Sequence, residues 1–302
     1  MTARVTVLMT AYNRERYIGA AIESVLAQTY KDFELVVVDD ASTDATVETA
    51  REYAARDPRV SVVVNERNLG DYPNRNHAFG YVNTPLFKYH DSDDVMYPHC
   101  LETMVAALDG HADADFALTT SRPWAGGPCP MLLTPWMCYA REYFGEGMFH
   151  LGPACGLFRR EAFARLGPFP AEGTISDYFF WMRACRSANV VLVAGDLFWY
   201  RRHDGQEIES SAARNDLLRI ERAAWDALFD AACPLTGRHL HQARRNRLTG
   251  LVRRAASDVL HGDWRFALSR LKAPRVRARD WVRYCGGRRL DLQAGTPSLG
   301  DA

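Results

Sequence analysis

Apolar positions in the first third of the chain fall into short runs separated by amphipathic stretches. Val5-Thr6-Val7-Leu8-Met9 is one such run, and Glu34 to Val38, Val60 to Val64 and Leu86 to Tyr89 repeat it. The first has the signature of a buried parallel strand, the second is β-branched, and the other two read as strands as well. Between the first two, Tyr17, Ile18, Ala21, Ile22, Val25 and Leu26 recur at helical spacing over residues 15–28. Ser42 or Thr43 can cap a helix over about 44–56 with Pro58 beyond its end, and Pro73 to Val82 suits another. Strand alternating with helix predicts an α/β fold with a mostly parallel central sheet covered on both faces.

From Asp115 onward the pattern loosens. Residues 121–153 hold five prolines and five glycines, which predicts an irregular wall. Order returns with Ala154 to Arg159 as a strand, then Arg160 to Leu166 and Ser176 to Ser187 as helices. Val190 to Val193 and Leu197 to Tyr200 are strand-like, and residues 212–230, 238–260 and 263–284 are helical in character.

Charge adds a boundary. Net charge is zero, with 37 basic and 37 acidic residues, so no global field argues for a nucleic-acid partner. Yet residues 236–290 carry 15 Lys/Arg against 3 Asp/Glu, a basic tail on an acidic body, with the change near Pro234. Seven scattered cysteines without a CxxC read as reduced thiols of a cytosolic protein. The beginning of the chain shows no signal-peptide pattern, and no apolar stretch approaches the ~20 residues needed to cross a bilayer. The expectation is a cytoplasmic protein.

Ligands in open parallel sheets bind beyond the carboxyl ends of the strands. Three polar clusters fall there: Thr10-Ala11-Tyr12-Asn13, Asp39-Asp40 and Asp91-Ser92-Asp93-Asp94. Three carboxylates in four residues repel one another unless a cation neutralises them, and a hard divalent ion sharing diphosphate oxygens would do so. A solvated acidic turn capping the helix that starts near Pro98 is the plainer alternative. Asp39-Asp40 alone could equally be a helix cap, and Tyr12 a packed aromatic. G-x-G-x-x-G, G-x-x-x-x-G-K-[ST] and G-x-S-x-G are all absent, which disfavours dinucleotide oxidoreductases, P-loop NTPases and α/β-hydrolases.

Taken in order, these segments resemble glycosyltransferase family 2. The match runs through Val5 to Asn13, Ser24 to Tyr30, Phe33 to Asp44, Asn68-Leu69-Gly70, Arg75-Asn76 and His90 to Asp94. It continues with Gly156 to Phe163, Leu166 to Phe169, Ser176-Asp177-Tyr178 with Trp181 and Arg183, and Tyr200 to His203, covering about residues 4–210.

The resemblance implies a GT-A fold, with residues 1–210 catalytic (1–115 for the nucleotide sugar, 116–210 for the acceptor) and 211–302 a helical basic extension. It implies inverting transfer from a nucleotide-diphospho-sugar, usually a uridine one, with Mn²⁺ or Mg²⁺. Thr10, Ala11, Tyr12 and Asn13 would form the base pocket, with Asp40 or Asp39 accepting from the uracil edge. Asp91, beside Ser92, would lie near ribose and metal, and Asp93 would be the principal metal ligand, with His203 a further candidate. Arg75 and Asp71 would meet the sugar or phosphates, and Asp177 would be the general base. Two departures stand out: Thr10 where proline is common, and Ser176 where an acid commonly precedes the base.

Bland readings remain beside these: Asp177 as a first-turn acid favoured by the helix dipole, Arg75 as a surface arginine, His203 as a loop histidine. The rival functions are a nucleotidyltransferase acting on sugar phosphates, or a sugar-nucleotide-binding protein without turnover. The basic tail could pack on the catalytic domain or rest peripherally on anionic lipid at the inner face of the membrane. The acceptor is not legible.

Overall fold

The computed structural model describes residues 3–120, 127–145, 147–195, 197–203 and 213–285. The four apolar runs become parallel strands β1 (Val5–Ala11), β2 (Phe33–Asp39), β3 (Val60–Val64) and β4 (Leu86–Asp91). β1 and β4 continue into polar residues that apolar patterning does not assign to them. Pairing carries them there, because Thr10 sits in register with both Val38 and Asp91, and Ala11 with Asp39.

Helices α1 (Ile18–Leu26), α2 (Thr46–Arg56), α3 (Asp71–Ala78) and α4 (Cys100–Asp109) connect these strands and the next. The expected cap of α2 is corrected: Asp44 accepts from the Thr46 N–H at 3.0 Å, while Ser42 gives its hydroxyl to Asp39. α3 starts at Asp71, two residues before Pro73. Gly70 makes that entry at φ +90°, a region a side chain resists, and Pro73 falls in the first turn where its missing N–H costs nothing.

The sheet has eight strands in the order β3-β2-β1-β4-β8-β6-β9-β7. Its far half comprises β6 (Phe116–Thr120), β7 (Met131–Leu133), β8 (Gly156–Arg159) and β9 (Val190–Ala194), where antiparallel pairs join the parallel ones. β6 is buried throughout and breaks the expectation of irregularity after Asp115. Its threonines are tolerated because Thr119 Oγ1 donates to the Gly195 carbonyl at 2.6 Å.

The irregular wall is also corrected. It contains β7 and a ten-residue helix α5 (Pro135–Phe144), with Thr134 as N-cap and Pro135 at the position that favours proline; residues 121–126 and 146 lie outside the described residues. Helices α6 (Arg160–Leu166) and α7 (Ser176–Ala184) follow, and β5 (Val95–Met96) pairs antiparallel with β10 (Phe198–Trp199).

By packing, the chain divides into two compact units. The first comprises residues 1–133, 151–180 and 188–204, and the second residues 134–150, 181–187 and 205–302. One core of the first unit sets Val5, Val7 and Met9 of β1 against Ile18, Ile22 and Val25 of α1. Elsewhere in that unit Phe87 stacks on Phe158, Phe158 meets Phe163 edge to face and Phe169 packs tilted on Phe180, each burial contributing about 1.5–3 kcal/mol.

The second unit holds α5, α8 (Ala213–Ala227), α9 (Gly237–Leu260), α10 (Trp264–Lys272) and α11 (Ala278–Cys285). The helical stretch expected over 263–284 is broken between Lys272 and Ala278, where Pro274 has no N–H to continue it. Trp225, Leu248, Leu251 and Tyr284 form its core. Glu221 binds Arg247 at 2.8 Å, Arg254 at 2.7 Å and Arg270 at 3.0 Å, so part of the arginine excess is consumed internally. No described helix is long and apolar enough to cross a membrane.

Candidate functional site

The register of β1, β2 and β4 brings the three predicted clusters level at one rim: Thr10 opposite Asp91, and Ala11 opposite Asp39. Thr10 and Ala11 are buried, while Tyr12 stands 43% exposed just beyond them. Asn13 turns the chain at φ +52°. Its N–H donates to Ser42 Oγ at 2.9 Å, and its Oδ1 accepts from the Thr43 N–H at 2.9 Å. Asp39 accepts in turn from both the N–H and the hydroxyl of Ser42. Thus the loops after β1 and β2 are tied into one ledge under an exposed aromatic ring.

The two adjacent aspartates differ in employment. Asp40 Oδ1 accepts from Asn65 Nδ2 and the Leu69 N–H, and Oδ2 from the Gly70 N–H, each at 2.8 Å. It therefore pins the segment that launches α3. Asp39 holds only Ser42, and burial raises its pKa. It keeps accepting capacity towards the ledge.

α3 carries Arg75 into the centre. Its Nε binds Asp71 Oδ1 at 2.8 Å and its Nη2 lies 2.7 Å from Asp91 Oδ1. Nη1 is buried and has no hydrogen-bond partner among the described residues. Arg75 is thus no surface arginine. Asn76, next along α3, clasps Phe169 through two 2.9 Å bonds and so fixes the helix.

The crowding of Asp91, Asp93 and Asp94 is resolved in three ways. Burial disfavours charge on Asp91, but Arg75 outweighs it and holds its carboxyl below the usual range. Asp93 Oδ2 accepts from Arg14 Nε at 2.9 Å and meets His203 Nε2 at 3.1 Å. Asp94 has neither ion partner. Burial, then the neighbouring Asp91, push its pKa up to about 8, which disfavours its charged form. It accepts from the Arg201 N–H at 3.0 Å, and Arg201 Nε donates to the Asp93 carbonyl at 2.8 Å, which ties the late loop to the acidic turn. Ser92 is buried between them, and His90 is buried behind, where burial pushes its pKa down to about 4.

A divalent ion fits this turn if it shares its shell with a ligand. Asp93 offers a hard oxygen suited to Mn²⁺ or Mg²⁺, and His203 Nε2, 3.1 Å from it, would serve a metal only on giving up that contact, Mn²⁺ better than Mg²⁺. No group of three or more His, Cys, Asp or Glu side chains that could hold a metal assembles among the described residues. Water and diphosphate oxygens would complete the shell, as is usual for such ions with phosphorylated ligands.

Asp177 opens α7 in the same electrostatic neighbourhood. Burial pushes its pKa up to about 6, opposed by the Tyr178 N–H, which donates to Oδ1 at 2.7 Å, and by Arg75; Asp71 reinforces the rise, and the Tyr72 hydroxyl opposes it. Ser176 spends its hydroxyl on the Gly173 carbonyl at 2.7 Å and the Glu172 N–H at 3.1 Å. It anchors the turn before α7.

Sequence reasoning missed Arg14, Tyr72 and the role of Arg201. Arg14 could have been suspected, as a cation beside the Tyr12-Asn13 ledge; Tyr72 had no signal beyond its neighbour Asp71.

Known proteins resemble this chain in sequence and in fold. The putative glycosyltransferase EpsE of Bacillus subtilis (strain 168) is 38% identical over 109 residues, 36% of this chain and 39% of that protein. This chain thus matches well under half the length of that curated relative. Among solved structures, S. aureus TarS residues 1–349 in complex with UDP-GlcNAc superposes with a TM-score of 0.66 at 22% identity, covering 93% of this chain and 85% of that one. The mannosyltransferase PcManGT from Pyrobaculum calidifontis, in complex with GDP-Man and Mn²⁺, gives a TM-score of 0.57 at 16% identity over 91% of this chain and 88% of that one. Identities this low speak to the fold alone. The family model for glycosyl transferase family 2 matches residues 6–167, more than half of the chain. With its rim, its mostly parallel sheet and this match, the chain belongs to glycosyl transferase family 2 and has the GT-A fold.

Proposed function

We propose that the chain transfers a sugar from a nucleotide-diphospho-sugar, a UDP-sugar by preference, to an acceptor hydroxyl by metal-assisted single displacement with inversion. The observation that carries this reading is Arg75: buried, bridging Asp71 and Asp91, with Nη1 unclaimed among the described residues and Asp177 in its field. An unspent guanidinium donor in a buried site suits an anionic oxygen of the donor.

In this reading Tyr12 stacks on the base and Asp39 accepts from its edge, with Asp40 pinning the segment that launches α3. Asp91, Asp93 and His203 face the diphosphate, and a bound Mn²⁺ or Mg²⁺ would offset charge on the leaving group. Asp177 takes the proton from the acceptor hydroxyl as its oxygen attacks the anomeric carbon. A pKa of about 6 suits that task at neutral pH, since the group is ionised yet basic enough to accept.

The test is turnover of a panel of nucleotide sugars with Mn²⁺, followed by NMR of the anomeric proton. Donor consumption with β-linked product from an α-linked donor supports the reading. Binding of the donor without any turnover or hydrolysis overturns it in favour of a binding protein.

A further inference from the structure

The second unit carries an open groove of about 500 Å³ between α9, α10 and α11. Val252, Val259, Trp264, Leu268, Leu271 and Trp281 line it. Trp264 is 55% exposed and Leu268 47%, and nearby Val282 is 73% exposed, so the apolar surface lies open at the surface of the chain. Isolated exposed apolar residues are ordinary, but a contiguous apolar groove signals a ligand or a partner.

The charges around it say which. Between residues 251 and 285 stand only three acids, and none is exposed: Asp258 is bound to Arg270 at 2.7 Å, Asp263 to Arg214 at 2.7 Å, and Asp280 is buried. Arg265, Lys272, Arg275, Arg277, Arg279 and Arg283 are all exposed. On α10, Arg265 and Lys272 stand three and four residues from Leu268, on the same helical face. An apolar groove among exposed cations, with no exposed acid among described residues 251–285, is complementary to an anionic amphiphile.

We infer that this groove docks the chain on an anionic phospholipid bilayer, with the groove against acyl chains and the α10–α11 cations against headgroup phosphates. Trp264 suits that depth, since its ring partitions to the level between headgroup and hydrocarbon. A second copy of the chain is disfavoured as occupant by the repulsion between two such basic faces. The inference does not depend on the transfer reaction.

The test is flotation of the full chain with vesicles of phosphatidylcholine alone and with added phosphatidylglycerol, at low and high salt. Brominated acyl chains serve as quenchers of tryptophan fluorescence. Binding should require the anionic lipid, weaken with salt, and bring quenching that Trp264→Phe reduces. Leu268→Asp lies at an exposed position and should abolish quenching without unfolding the chain, checked by circular dichroism. Arg275→Ala and Arg279→Ala should each weaken binding by about five-fold. Binding blind to lipid charge, absence of quenching, or a dimer that Leu268→Asp dissociates would each overturn the inference.

Discussion

Arg14 Nε and His203 Nε2 meet the same oxygen of Asp93, at 2.9 and 3.1 Å, although the three residues are scattered over nearly 190 positions of the chain. Arg14 also donates to the carbonyls of Tyr12 and Asn13 at 3.1 Å, so one guanidinium joins the ledge after β1 to the acidic turn. A divalent ion arriving at Asp93 must share that oxygen with a fixed cation. Arg14→Ala should therefore tighten binding of Mn²⁺ alone by up to about five-fold, the scale of a partly exposed ion pair. The same variant should loosen UDP by freeing the ledge. Calorimetric titration of each ligand separately decides it, and unchanged Mn²⁺ affinity would refute the competition.

Asp93→Ala removes the carboxylate that would hold an ion against the diphosphate. Mn²⁺-dependent enhancement of UDP binding should disappear, while any metal-independent binding through Tyr12 and Asp39 persists. Calorimetry with and without Mn²⁺ reads the difference directly.

Asp177→Asn keeps shape but cannot take a proton. Transfer should fall by about 10²–10⁴-fold with donor affinity retained, the usual contribution of a positioned general base. Near-normal kcat would assign the base elsewhere.

The same carboxyl predicts a pH dependence. With a folded pKa of about 6 and the base form required, kcat/KM should rise through an acidic limb centred near pH 6. For stability the sign is reversed. The folded pKa lies above the ordinary value of 3.8, so wild type loses this contribution as pH climbs from 3.8 to 6. Asp177→Asn, always neutral, should therefore be the more stable protein above pH 6, by about 1–2 kcal/mol after solvent screening. The two should converge below pH 4 in thermal melts. A variant that is inactive and also less stable at pH 7.5 would mark Asp177 as structural.

Arg75→Met leaves Asp71 and Asp91 facing each other without their shared cation. Stranding buried charge in this way typically costs about 3–5 kcal/mol, read as a fall in the denaturant midpoint. Adding Asp71→Asn and Asp91→Asn should recover much of the stability and none of the donor binding, which separates folding from function.

What was legible in the sequence was local. Four short apolar runs and the helical spacing between them determine the parallel half of the sheet, because burial of β1, β2 and β4 leaves its mark residue by residue, whereas β3, partly exposed beyond Val60, is marked by its valines alone. The order of polar clusters at strand ends determines the rim, since a parallel sheet puts those ends on one side. β6 and α5 escaped because Thr119 and Thr120 look polar and Pro135 looks like a breaker until neighbours supply the bond and the helix start.

Only the tertiary structure decided how the rim is charged. Arg14 with Asp93 and His203 with Asp93 are pairings 79 and 110 residues apart, and no periodicity encodes them. The sequence presented three carboxylates in four positions, which electrostatics alone could not leave unneutralised. The fold answers with an arginine for Asp91, an arginine for Asp93 with His203 beside it, and for Asp94 a burial that disfavours its charge. Which carboxylate received which partner depends on burial and distance, quantities that exist only once the chain has folded.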